Sequence, residues 1–399
     1  MASNRVRQLY QSDLVFVGPT GIAGGANQPA TGALGAGAVW GNYLSVVSGA
    51  NYLAELFRVT RVDDSWNRTL TNVNQIGQLA AIDRVTITQP TVNLTLSWIQ
   101  NNFVNESLIG LTVIRSGSAQ LLTCISGILN QTTEPLNYFV QTTPEGTDAI
   151  NYLTGPGNQA SYVVSFGNAY LESYTANGRI NEFPSVDVSL RALNAQAQLV
   201  TGGVPVMTPA VYPGSGTNIT GWAYILPTGY PSFNNVGVGF GNWQGISALR
   251  PGDIKFSLGL GAGQGFVDPS FHVQSYSLSL PFNREDFLQL GSKYAFAILP
   301  RFPIDVSLTV DALVSDLQTG SLVEIVNNND SFNPSINITT PGTNNTVVFY
   351  QLSNAKLQDN TFSQSVGSTA KTVRMTFVTQ IGGPQDTTNI VSMSGISVN

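Results

Sequence analysis

Apolar and polar residues alternate one for one in several short runs of this chain: VNLTLSW (92–98), VDVSL (186–190), VQSYSLSL (273–280), VSLTV (306–310) and VRMTF (373–377). A period of two sends successive side chains to opposite faces of an extended backbone, so each run predicts a strand with one apolar face. The stretch ELFRVTRVDDSW (55–66) mixes apolar and polar residues on both faces, which predicts a strand partly covered on each side, with Asp63-Asp64 marking a turn. LVFVG (14–18), ended by Pro19, reads as an edge strand or an arm, and a Gly/Ala-rich loop or linker follows at 21–38. Helical candidates are short: VNESLIGL (104–111) and SLVEIVNN (321–328).

The alternation is written twice. NQIGQLAAIDRVTITQPTVNLTLSW (74–98) is answered by QLGSKYAFAILPRFPIDVSLTV (289–310), with Gly291 standing for Gly77 and Pro303 for Pro90. Val306, Leu308 and Val310 answer Val92, Leu94 and Leu96. Further on, VVSFGNAYLES (163–173) is matched by VVFYQLSNAKLQD (347–359), pairing Asn168, Ala169 and Leu171 with Asn354, Ala355 and Leu357. A preserved order of features over more than about a hundred residues reads as a duplicated domain. The organisation expected is an arm and Gly/Ala-rich loop at 1–55, a first β domain at 56–199, a Gly/Pro/aromatic-rich insertion at 200–270, and a second β domain with a C-terminal tail at 271–399.

Composition changes the picture in one respect. Charged residues are only 10% of the 399, against about a quarter in an ordinary soluble domain, so much of the surface is expected to be covered by neighbouring copies. The 40 glycines and 20 prolines favour short strands and many turns. The net charge of −6 argues against a basic footprint for gripping nucleic acid. No run has the length of a signal-peptide core or a membrane helix, so synthesis in a host cytoplasm, without membrane insertion, is the expectation. Asn-x-Ser/Thr matches at Asn67 and Asn218 therefore carry no glycosylation meaning.

Candidate chemistry is sparse. One histidine, His272, cannot assemble a Ser/His/Asp or Cys/His set, and Cys124 reads as a small buried hydrophobe that has no partner for an internal disulfide. One Cys and one His cannot supply a zinc site, and Asp63-Asp64 and Glu285-Asp286 lack the spacing of a calcium loop. The glycine runs GVGFG (237–241) and GLGAGQG (259–265) are followed by neither Lys-Ser/Thr nor a helix-forming stretch, which argues against a phosphate cradle. No catalytic, cofactor-binding or metal residue is expected, and no cofactor.

RQLYQSDLVFVGPTG (7–21), FRVTRVDDSWNRTLTNVNQIGQLAAIDRV (57–85) and SNAKLQDNTFSQSVGSTAKTVRMTFVTQIGG (353–383) resemble the major tail tube proteins of tailed bacteriophages. The resemblance covers about three quarters of the chain; the 200–270 segment has no counterpart in it, and no residue role is carried over. It implies an all-β fold, a small two-sheet sandwich or barrel with a flanking helix, assembled as stacked rings around a channel for genome DNA. A chain holding two such domains would close a trimeric ring of pseudo-six-fold appearance. The partners implied are other copies of itself, tip or baseplate, terminator, and tape-measure or sheath proteins of the virion, with DNA passing unbound. Two alternatives stay open. One is a distal tail or baseplate hub, or another virion component. The other is a carbohydrate-binding or glycan-cleaving β protein using Trp66, Trp98, Trp222 and Trp243 as a stacking platform.

Overall fold

The computed structural model describes residues 8–19, 54–115, 124–130, 134–144, 160–201, 206–207, 222–223, 249–258, 272–290, 294–313, 331–339, 346–363, 372–384, 386 and 389–395. The fold is all-β. The first half holds β1 (Gln8–Pro19), β2 (Ala54–Glu55), β3 (Val59–Asn67), β4 (Leu70–Val73), β5 (Asp83–Thr86), β6 (Thr91–Ile99), β7 (Ile114–Arg115), β8 (Leu136–Pro144), β9 (Ala160–Arg179), β10 (Ser185–Ala192) and β11 (Asn194–Thr201). After β12 (Val206–Met207) and β13 (Trp222–Ala223) come β14 (Ile254–Ser257), β15 (Val273–Pro281), β16 (Arg284–Phe287), β17 (Ala297–Pro300), β18 (Ile304–Leu313), β19 (Ser335–Thr339), β20 (Thr346–Leu352), β21 (Lys356–Ser363), β22 (Thr372–Ile381) and β23 (Val391–Gly395). The α-helices among the described residues are α1 (Val104–Leu108) and α2 (Ser126–Leu129), and a single 3-10 turn spans Pro251–Asp253; none is long enough to cross a membrane.

Eight strands form one continuous large sheet in the order β3-β6-β10-β9-β15-β18-β22-β21. Its left half, β3-β6-β10-β9, and its right half, β15-β18-β22-β21, are the same four-stranded unit laid side by side. Each unit carries a smaller sheet with matching order, β1-β8-β9-β11 in one and β14-β19-β20-β23 in the other. The hairpins match too: Leu70 faces Thr86 across β4–β5, and Arg284 faces Pro300 across β16–β17. Irregularities recur in step. β3 and β15 shift register between Val59 and Arg61 and between Val273 and Ser275, while the β9–β10 and β21–β22 ladders shift beside Glu172 and Gln358.

The duplicated Asn-Ala pairs explain how each unit turns from its small sheet to its large one. Asn168 and Asn354 both take a left-handed backbone, at φ 51 and 55, a conformation asparagine tolerates better than most side-chain-bearing residues. Each offers its backbone N–H to an asparagine side chain, Asn137 in β8 and Asn333 just ahead of β19, at 2.9 Å in both cases. In the first unit the strand runs on unbroken through that kink, which is why β9 is 20 residues long.

The alternation read in the sequence is the burial pattern. Val92, Leu94, Leu96 and Trp98 on β6 face Val186, Val188, Leu190 and Ala192 on β10, all buried; Val306, Leu308, Val310 and Ala312 on β18 repeat the arrangement. These side chains merge with Val15 and Phe166 of one small sheet and Ile338, Tyr350 and Met393 of the other in one core spanning both units.

Several expectations are corrected. Asp63 and Asp64 lie inside β3 rather than at a turn. Two acids tolerate a strand there because that strand is exposed at the sheet's edge and Arg61 pairs with Asp63. VNESLIGL is helical only over Val104–Leu108, because Gly110 at φ 101 ends it: Gly110 N–H reaches Ser107 O (3.2 Å) and Leu111 N–H reaches Glu106 O (2.9 Å), a Schellman closure. β1 is paired with β8 along most of its length and with β2 on its other side, so it is no arm. Ile254–Ser257, read within the insertion, pairs with β19 and belongs to the second unit's small sheet. SLVEIVNN, both glycine runs and the Gly/Ala-rich stretch lie outside the described residues.

Candidate assembly surface

The large sheet presents a polar face and, among the described residues, two outer edges with no paired strand, and two separate hairpins, β4–β5 and β16–β17, accompany it. The polar face is the side of the alternation that the core does not use. Ser97 on β6 donates to Asp187 on β10 (2.5 Å), Asn177 on β9 donates to the same carboxylate (3.1 Å), and Ser277 on β15 donates to Asn177 (2.8 Å). This row of hydrogen bonds crosses the junction between the two units. In the second unit, Ser275 and Arg374 both donate to Asp311, at 2.7 Å from each; the Arg374 bonds hold that carboxyl below its ordinary range.

The charges on this face balance. On the described strands, Arg61, Arg179, Arg191, Lys356 and Arg374 share it with Asp63, Asp187, Asp305, Asp311 and Asp359, and Ser, Thr and Asn fill most of the remainder. Such a surface is wet and close to neutral, without the run of cations needed to hold a polyanion.

The seam between the units is the β9–β15 ladder, Ser173 opposite Pro281 through Arg179 opposite Ser275. Gly178 sits opposite Tyr276, where an added Cβ would lie 2.2 Å from the ring. Gly178→Ala is therefore expected to cost about 1–3 kcal/mol by overpacking, read as a lower urea midpoint; an unchanged midpoint would mean that the seam yields there freely.

A buried ion pair clamps the seam's end. Arg284, at the start of β16, pairs with Glu134 and donates through Nε to Leu171 O at 2.8 Å; both side chains are within 2% of complete burial. Glu134 Oε1 accepts from Leu171 N–H at 2.6 Å, so the pair grips both backbone groups of a residue beside the β9 irregularity. Arg284 also lies over the Tyr170 ring, 5.2 Å from its centre. Nearby, Arg191 joins Asp286 of β16 to Glu172 of β9, and Ala295 and Ile298 pack on Tyr170 and Leu193. The hairpin of the second unit is thus docked on the first. The hairpin of the first unit is exposed throughout, and the tips of both carry fully exposed apolar residues, Ile76 and Leu79 on one, Leu290 on the other.

Deeper in the core, Glu106 of α1 joins the units through a polar knot. Its Oε1 accepts from Trp98 Nε1 (3.3 Å) and Tyr174 OH (3.2 Å), Tyr174 OH lies 2.7 Å from Tyr350 OH, and Gln100 donates to Tyr350. Burial pushes the Glu106 carboxyl up to about 7.

The residues weighed for chemistry are dispersed. His272 is exposed just before β15, Cys124 is buried and its thiol pushed up by burial, and Glu285 and Asp286 lie in β16. Among the described residues no three His, Cys, Asp or Glu side chains converge on a metal position. The tryptophan platform fails at its centre: Trp98 is buried with its indole N–H committed to Glu106, whereas Trp66 is exposed at the sheet's edge. The Trp222 side chain and Trp243 lie outside the described residues. The Arg284–Glu134 clamp and the Glu106 knot were not singled out from sequence; the one available signal was a carboxylate inside a mostly apolar helical segment.

No protein-family model matches the chain and no curated protein matches it. Among solved structures, 36% of the chain is similar to 93% of a chain in the cryo-EM structure of the anti-feeding prophage baseplate, at 15% identity and a TM-score of 0.26. Likewise, 33% of it is similar to 95% of Hcp1 from Flavobacterium johnsoniae, at 11% identity and a TM-score of 0.20.

Proposed function

We propose that this chain is a non-enzymatic virion protein, the major tail tube subunit of a tailed phage, three copies of which close a ring of pseudo-six-fold appearance. The observation that carries the reading is the large sheet: two four-stranded units of matching strand order joined edge to edge, ending in two outer edges that no described strand pairs with and that are equivalent to those already joined. A head-to-tail contact that repeats closes into a ring when its rotation allows, and a ring leaves no exposed sheet edge to aggregate. The balanced polar face would line the channel and let DNA slide. Stacked rings would then meet tip, terminator and tape-measure or sheath proteins at their ends.

Electron microscopy of concentrated protein, with tail-tip proteins added if nucleation needs them, is expected to show rings of three chains stacking into tubes. A plane of six complete chains, or a strict monomer under both conditions, would overturn the reading; rings present in only a few copies per particle would point to a baseplate hub. Assembled tubes are also expected to bind duplex DNA weakly, with an affinity that changes little between about 50 and 200 mM salt, because few phosphates are neutralised. Tight binding that falls steeply over that range would sink the neutral-channel assignment.

A further inference from the structure

Among the described residues no strand pairs with the outer edge of β3 or of β21. In the duplicated fold these strands hold the places of β15 and β9, which pair with each other inside the chain. We propose that β21 of one chain pairs antiparallel with β3 of a second copy in the register of the internal β9–β15 seam, setting Asp359 opposite Asn67, Thr361 opposite Ser65 and Ser363 opposite Asp63. This rests on the ring reading above and specifies its chain-to-chain contact.

The register follows from landmarks inside each strand. On β9 and β21 the irregularities beside Glu172 and Gln358 fix Asp359 as the counterpart of Ser173, and hence Ser363 as that of Asn177. On β3 and β15, Leu96 faces Val62 as Val310 faces Tyr276, and Leu94 faces Asp64 as Leu308 faces Leu278. Asp63, Ser65 and Asn67 therefore stand for Ser277, Ser279 and Pro281. The internal ladder joins Ser173 to Pro281, Thr175 to Ser279 and Asn177 to Ser277, and substitution of counterparts yields the three pairs proposed.

Exposure points to the same occupant. Tyr276, Leu278 and Leu280, in the covered copy of the strand, are no more than 4% exposed, whereas Trp66, the counterpart of Leu280, is 70% exposed. The same backbone position is core in one copy and open in the other, and in the first β9 lies alongside, with Tyr174 opposite Leu280. A slip of one residue would turn the apolar positions of β3 to the polar face. A slip of two would keep the faces and misplace both irregularities.

The test is oxidative cross-linking of assembled protein carrying Thr361→Cys with one of three partners: Ser65→Cys, Asn67→Cys or Asp63→Cys. Unaltered protein serves as the blank, since its one cysteine is buried. The Ser65 pair is expected to link several-fold more than either neighbour pair, and its products on a non-reducing gel to stop at three chains. Stronger linking of a neighbour pair, or equal linking of all three, overturns the register while leaving the ring intact. Rings visible by microscopy with no linking in any pair overturn the edge contact itself. Absence of rings in the unaltered protein overturns the ring reading, and this proposal with it.

Discussion

Replacing Arg284 with alanine is expected to lower the unfolding free energy by about 3–5 kcal/mol, the usual cost of breaking a buried ion pair by removing one partner. The effect is large because Glu134 would remain in place, buried, with only the Leu171 amide as partner. Burial already raises the Glu134 carboxyl, and the Arg284 charge is the main influence opposing that rise. In the variant the carboxyl escapes most of its penalty by taking a proton, so the loss should be greater at pH 8 than at pH 5. Chemical denaturation at both values measures it. The companion variant Glu134→Gln with Arg284→Met removes both charges and keeps the volume, and it should recover much of the loss, since replacing a buried pair by neutral groups is often tolerated. If Arg284→Ala costs less than about 1 kcal/mol at pH 8, the clamp does not hold the two units together.

The second expected result is a loss of stability between pH 4.5 and 7 that belongs to Glu106. Its carboxyl is raised from 4.5 to about 7 in the folded chain, first by desolvation. The neutral acid is the form the fold accepts. Its contribution is complete below about pH 4.5, declines as the pH rises towards 7, and is gone above that. The whole step is about 3 kcal/mol, from the size of the shift. Facing it are Tyr174 and Tyr350, whose hydroxyls burial pushes far above their ordinary value, and the uncharged Trp98 and Gln100, so no neighbouring group titrates in that window. Glu106→Gln keeps an oxygen acceptor and loses the titration. Subtracting its stability-versus-pH curve from that of the unaltered protein should isolate the step, and a flat difference curve would show that water reaches the carboxylate.

The two results concern different seams between the same two units. Arg284 and Glu134 clamp the end of the β9–β15 ladder, while Glu106 links Trp98 and Tyr174 of the first unit to Tyr350 of the second. Neither contact has a counterpart legible in the other copy. Leu70 occupies the hairpin position of Arg284, so the covalent seam carries an ion pair that a chain-to-chain seam built on the same plan would lack.

By itself the sequence determined the strands, the faces and the duplication. The alternation of Val92, Leu94 and Leu96 against Asn93, Thr95 and Ser97 specifies which side is buried, because the pleat leaves a strand only two faces. The repeated Asn-Ala pairs carried the duplication, since a left-handed kink at a fixed place in the fold favours the same residue in both copies. The tertiary structure alone decided how the copies meet. Alternation is identical for a central strand and an edge strand, so nothing in the letters of β9 and β15 announces that they pair. For the same reason Asp63-Asp64 reads as a turn when taken locally and proves to be a strand that lies open at the rim. Buried polar partners such as Glu134 with Arg284, 150 residues apart, leave no periodic trace at all, because their energy depends on a meeting in space that spacing along the chain does not encode.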